Sequence, residues 1–284
     1  MPSQRHIFSA LILLLLAPVA HAGPFAPAAG QPGSTAIWMG DSSISGWADG
    51  YIDYTPGSAV DPEWQTPNLA LGPALGDAFD IVSLGRGGRI TLTFDTPIAN
   101  GAGADFAVFE NSFSDTFLEL AWVEVSSNGA TFVRFPGFSF TALPVGPFGG
   151  LDPTDIDGFA GKYRQGWGTP FDLDLFASVD PAILDVNAVT HVRIIDIVGD
   201  GSVFDNWPSQ FGGPNPIYDP YATTGSAGFD LDAIAVINQG TPPPPPPSTN
   251  EQVPFPPGAL ALLSIFIFLI QTHIRPHQKV KETS

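Results

Sequence analysis

Arg89-Ile90-Thr91-Leu92-Thr93-Phe94 is the stretch on which the fold class turns. In an extended chain Ile90, Leu92 and Phe94 lie on one face and Arg89, Thr91 and Thr93 on the other, the two-residue period of a strand buried on one side. Working outward, similar short runs rich in Val, Ile, Phe and Thr recur at Asp105–Glu110, Leu120–Ser126, Thr131–Phe135, His191–Ile197 and Leu231–Ile237. Abundant glycine (31) and proline (30) punctuate them, and no amphipathic helical stretch of useful length intervenes. Asn128-Gly129 sits between two of these runs, so Trp122–Phe135 is expected to form a hairpin with a type I′ turn. The predicted class is all-β, a β-sandwich of jelly-roll type, with loops at about 136–188 and 199–229.

The two ends are of a different kind. Arg5, the apolar run Ile7–Ala20 and the small residues of Ala20-His21-Ala22 have the order of a secretory signal peptide cleaved before Gly23. Pro242–Pro247 favour polyproline II, a semi-rigid spacer. An apolar run, Gly258–Ile270, then precedes Arg275, Lys279 and Lys281. The expected division is a signal peptide at 1–22, a β-sandwich at 23–240, a linker at 241–252 and a transmembrane or sorting segment at 253–284. An ordinary single-span anchor with its basic end held inside is the alternative for that last segment.

Composition narrows the chemistry. Residues 23–240 carry 26 acidic and six basic side chains, a net charge of −20. Such a surface is a poor partner for nucleic acid and a good one for divalent cations. There is no cysteine, and His191 is the only histidine in this region. Multi-histidine zinc sites, thiol chemistry and Ser-His-Asp triads are therefore disfavoured. Gly85-Arg86-Gly87-Gly88 is no phosphate loop, because no Lys-Ser/Thr follows and a strand begins next. Leu151–Gly158 places acids at Asp152, Asp155 and Asp157, which is not the EF-hand spacing. Trp167, Trp207, Tyr218 and Tyr221 are candidate ligand-binding aromatics, since sugars stack on flat rings while neighbouring Asp and Asn accept hydroxyl hydrogens.

Two resemblances add to these readings. Val253-Pro254-Phe255-Pro256-Pro257-Gly258, the apolar run and the basic end resemble the C-terminal sorting signals of the PEP-CTERM/exosortase type in Gram-negative bacteria, although Phe255 stands where glutamate is usual. The body, through Val82–Phe94, Asp105–Asn111, Val123–Ser126 and Gly225–Ile234, resembles bacterial cell-surface proteins with a discoidin-like (galactose-binding-like) jelly roll. That resemblance implies a surface location and no catalytic activity. By analogy with such modules it also implies a calcium ion between the loops and the last strand, with Glu110, Asn111, Asp230 and Asp232 as ligands.

The expected function is therefore that of a secreted, surface-sorted binding or adhesion protein of the bacterial envelope or exopolysaccharide matrix, stabilised by calcium. Its expected partners are a polysaccharide or cell-surface glycan, signal peptidase, an exosortase-like enzyme and, through the C-terminal segment, a membrane. The alternatives are a small-ligand (nutrient) capture module serving an outer-membrane transporter, and a carboxylate-based glycoside hydrolase.

Overall fold

Strand alternation at residue 89 carries through into pairing. In the computed structural model, which describes residues 23–242, Arg89–Ile98 is a ten-residue strand between Gly50–Thr55 and Val189–Asp196. Ala121–Ser126 and Val133–Arg134 complete this antiparallel five-stranded sheet. A second antiparallel sheet runs in the order Ile37–Trp38, Trp167–Phe171, Phe106–Glu110, Asp230–Val236, Gly46–Trp47, and Val82–Ser83 also pairs with Asp230–Val236. Two small ribbons pair Phe138–Ser139 with Ile156–Asp157 and Asp200–Phe204 with Pro216–Tyr218. The described helices are single 3₁₀ turns of three or four residues, and among the described residues no helix is long and apolar enough to cross a membrane. The expected signal peptide, the linker beyond Pro242 and the sorting segment lie outside the described residues.

Both sheets contribute to one core, an arrangement compatible with a β-sandwich. Ile90, Leu92, Val123, Val125, Val192 and Ile194 from the first join Phe106, Val108, Ile234 and Val236 from the second. Each such side chain, taken wholly out of water, stabilises the fold by about 1.5–3 kcal/mol before conformational entropy is counted. The second sheet is covered on its other face too, where Ala107, Phe109, Ala233 and Ala235 lie under Ile37, Met39, Ile44 and Trp47. That double burial explains why Phe106-Ala107-Val108-Phe109 lacks polar alternation. The outer face of the first sheet is apolar at Trp122 and Ile195, which join a second cluster with Leu120 and Phe159, and polar elsewhere. Glu124 there accepts from Arg134 (2.9 Å), and the Arg193 guanidinium lies 3.5 Å from the Phe132 ring centroid.

Three expectations need correction. Trp167–Phe171 is an internal strand of the second sheet, although it lies in a region read as loop. Its Gly168 and Pro170 disguise it: a Cβ at Gly168 would come within 2.8 Å of the Phe109 ring, so only glycine lets the strands approach. The strands at Ile37–Trp38, Gly46–Trp47 and Gly50–Thr55 also had no clear sequence signature. The hairpin after Ser126 exists, but Glu124 opposes Arg134 and Val125 opposes Val133, leaving a six-residue loop at 127–132. Gly129 alone takes positive φ (70°), while Asn128 Oδ1 accepts from the Ala130 and Thr131 amides. A two-residue type I′ turn is thus replaced by an Asn-centred loop.

Buried carboxylates do the work that disulfides do in many secreted proteins. Asp196 accepts from the Gly87 amide (2.7 Å) and the Phe229 amide (2.8 Å). Asp105 accepts from Gly101, Leu173 and the Asn238 side chain. Asp205 accepts four hydrogen bonds, from the Ser139, Trp207 and Asn215 amides and from Asn215 Nδ2. Asp219 binds the Leu120 amide, and Asp232 the Leu75 and Gly76 amides. Removing such an acceptor leaves buried amides unsatisfied, and that is the larger part of its value to stability. Asp200, between Asp196 and Asp205 in the chain, is different: it accepts from the Ser202 amide at the surface.

Candidate functional site

Three carboxylates meet where strands of both sheets leave the core. Glu110 ends Phe106–Glu110 and lies in register with Leu231; Asp230 opens Asp230–Val236 and lies opposite Ser83. Glu119, from the other sheet, stands two residues before Ala121–Ser126. All three are buried. Glu110 Oε2 accepts from the Ser112 amide (2.7 Å), and Glu119 Oε1 from Thr223 Oγ1 (3.0 Å). Glu110 Oε1 and Asp230 Oδ1 are buried without a hydrogen-bond partner among the described residues.

Burial raises all three carboxyls. Glu110 is pushed well above the usual range, by desolvation first and then by the charge of Asp230. Glu119 is pushed up by burial and by Asp230, Glu110 and Asp219. Asp230 rises to about 7 because it is desolvated, an effect that the nearby polar side chains of Ser83, Ser226 and Asn111 only partly offset. A buried carboxylate left without counter-charge or donor is costly, so the cluster favours protons or a cation.

Above this floor opens a cleft of about 520 Å³. Its walls include Trp64, Phe79, Phe113, Phe117 and Phe148, and Asn111, Glu119, Thr223, Ser226 and Asp230 supply polar atoms. Trp64 stacks on Phe79 (6.3 Å between centroids) and Phe113 on Phe117 (4.4 Å). Phe79, Phe113 and Phe148 are 75%, 66% and 87% exposed, an unusual degree for phenylalanine. The far wall is fixed from below: Arg86 Nη2 donates to the Thr223 carbonyl (2.6 Å) and its guanidinium lies 5.2 Å from the Tyr221 ring centroid.

Of the residues expected to bind metal, Glu110, Asn111 and Asp230 come together. Asp232 is bonded instead to the Leu75–Gly76 turn. A register shift between Leu231 and Ala233 breaks the alternation that would have placed 230 and 232 on one face. Among the described residues no three His, Asp or Glu side chains are drawn close enough to ligate one ion. The oxygen-only donor set nevertheless fits calcium, which also takes amide, hydroxyl and water oxygens.

The expected ligand-binding aromatics are dispersed and none lines the cleft. Trp167 tilts against Trp38 (5.2 Å), on an outer strand pair. Trp207 is wedged among Phe138, Phe140 and Phe211, and its indole donates to the Phe211 carbonyl. Tyr218 belongs to the Pro216–Tyr218 ribbon, and Tyr221 lies against Arg86. Sequence reasoning missed Glu119 and the cleft phenylalanines. Leu118-Glu119-Leu120 looks like a strand with its glutamate in solvent, and the aromatics are scattered over three connections between strands. Compared with known proteins, the chain matches no family model and no curated sequence.

Proposed function

We propose that this is a non-catalytic surface binding module that takes a glycan in the aromatic cleft over a calcium ion. The observation that carries the reading is the pair of buried, donor-less oxygens, Asp230 Oδ1 on a residue lining the cleft and Glu110 Oε1 on the neighbouring strand. Glu110 and Asp230 would hold the ion with the Asn111 amide oxygen, and Glu119 would face it from the opposite sheet. Calcium there supplies positive charge and open coordination positions for vicinal hydroxyls. The exposed phenylalanines offer flat faces for sugar rings, and the volume falls within the usual range for small-ligand sites.

The wider setting rests on the sequence. Both sheets are antiparallel and share a core, as a discoidin-like jelly roll requires. The terminal segments support secretion and exosortase-type sorting to the envelope or its matrix. A second reading, capture of a small soluble ligand, is favoured by the concave shape of the cleft. A carboxylate-based hydrolase is the third, since burial and the neighbouring Asp230 push the Glu119 carboxyl well above its usual range.

The test is calcium titration of the chain from Gly23 onward by calorimetry, together with a glycan array run with calcium and with chelator. Calcium binding lost in Glu110→Gln and Asp230→Asn, with calcium-dependent glycan retention lost in Phe79→Ala, supports the reading. No calcium heat and an unchanged melting temperature under chelator remove the ion. A silent array with folded protein removes the glycan, and turnover abolished by Glu119→Gln would establish the hydrolase.

A further inference from the structure

The segment that follows the expected cleavage point is not a loose tail. The Gly23 nitrogen donates to Thr154 Oγ1 at 2.6 Å, and the Phe25 nitrogen donates to the Thr154 carbonyl at 3.1 Å. Phe25 then stacks on Phe140 (5.6 Å) and Phe138 (6.3 Å), both in the aromatic group that holds Trp207. A Cβ at Gly23 would collide with the Thr154 carbonyl oxygen and with Asp155 Oδ1, so only glycine seats here. Gly23 thus sits directly beside a carboxylate.

The pocket is built to receive a positive charge. Thr154 Oγ1 donates to Asp152 Oδ1 (2.7 Å), which leaves its lone pairs for Gly23, and the Thr154 amide bonds the same carboxylate. Asp155 is anchored through its main chain, its amide donating to the Asp152 carbonyl and its carbonyl accepting from Phe140. Among the described residues, neither Asp152 nor Asp155 has a cationic side chain within salt-bridge range; the nearby Lys162 pairs with Asp157. Partial burial and the charge of Asp152 raise Asp155 above its usual range. An amide N–H satisfies one hydroxyl here and brings no positive charge to the two carboxylates.

We infer that Thr154 and Asp155 form a docking site for the α-ammonium of Gly23, which signal-peptide cleavage after Ala22 creates, so that maturation completes the fold of this edge. The ammonium has three donors where the peptide had one. One stays on Thr154 Oγ1, and the added charge and donors reach Asp155. Before cleavage the precursor lacks this ion pair, and the 138–140 and 153–157 segments are less firmly held. The inference rests on the signal-peptide reading and on no property of the cleft.

The experiment compares three forms of the chain to Ser284: one beginning at Gly23, one retaining Ala22, and one beginning at N-acetyl-Gly23. The free Gly23 form should melt about 2–4 °C above the other two. Asp155→Asn should shrink that gap, while Gly23→Ala should lower the melting temperature of the free form by steric exclusion. Equal melting of all three forms overturns the docking site. A gap that persists in Asp155→Asn also overturns it, by assigning the effect elsewhere. The intact mass of protein secreted from a Gram-negative host separately tests the cleavage point: a start other than Gly23 refutes the maturation step.

Discussion

Asp205 offers the sharpest test of the view that buried carboxylates replace disulfides here. It is 5% exposed and accepts four hydrogen bonds of 2.7–3.0 Å that close the 205–215 loop and tie it to the Phe138–Ser139 strand. In Asp205→Ala the Ser139 amide, buried, loses its partner outright, at a cost of about 1–3 kcal/mol. The other three donors are partly buried and can regain water, so each should cost about 0.5–1 kcal/mol. The expected total is about 3–5 kcal/mol, or roughly 6–20 °C in melting temperature for a domain of this size. Asp205→Asn should recover little of this. Whichever way the amide lies, its NH₂ group faces two donors where the carboxylate accepted two bonds. Urea unfolding followed by tryptophan fluorescence and by circular dichroism gives ΔG and m for each variant. Asp180→Ala, which removes a bond to the Ala182 amide at an exposed site, is the control and should cost less than about 1 kcal/mol. A loss below about 1 kcal/mol for Asp205→Ala, with m unchanged, would refute the staple argument.

Further outcomes follow from other parts of the molecule. Burial raises Asp196 to about 7 in the folded state from 3.8, so the unfolded chain ionises first and stability falls as pH rises from about 4 to about 7, by up to about 4 kcal/mol. In urea titrations across that range Asp196→Asn should flatten the slope, and an unchanged slope would contradict the assignment. Gly168→Ala should destabilise by about 1–3 kcal/mol, because its Cβ would meet the Phe109 ring at 2.8 Å and Ala107 Cβ at 3.0 Å between packed strands; a neutral result in chemical unfolding would mean that the strands can separate. Tyr54 donates to the Ser83 carbonyl (2.8 Å) and burial pushes its phenol to about 12, so one tyrosine should titrate late at 295 nm and Tyr54→Phe should remove that phase. Because its folded value lies above the unfolded one, the Tyr54 contribution to stability is lost as pH rises through about 10 to 12.

The sequence by itself determined the class of structure and most of its central strands. The period of Arg89–Phe94, the apolar Phe106–Phe109 run and the last strand at 231–236 declare themselves because side-chain alternation is a local property of extended chain. It also determined the absence of disulfides and the acidity of the body. What the acids do was decided by tertiary structure. Asp105, Asp196 and Asp205 look like turn residues in the sequence, yet they bond amides dozens of residues away, and contact order of that kind leaves no local trace. The Trp167–Phe171 strand escaped notice because its glycine and proline suit particular neighbours, Phe109 and an adjacent strand, and not any intrinsic preference. The resemblance to discoidin-like modules named Glu110 and Asp230, but nothing named Glu119. Its sequence neighbours say solvent, and only the packing of two sheets turns it into the floor of a cleft. Alternation is encoded within a strand; the meeting of three like charges is a consequence of which strands the hydrophobic core brings together.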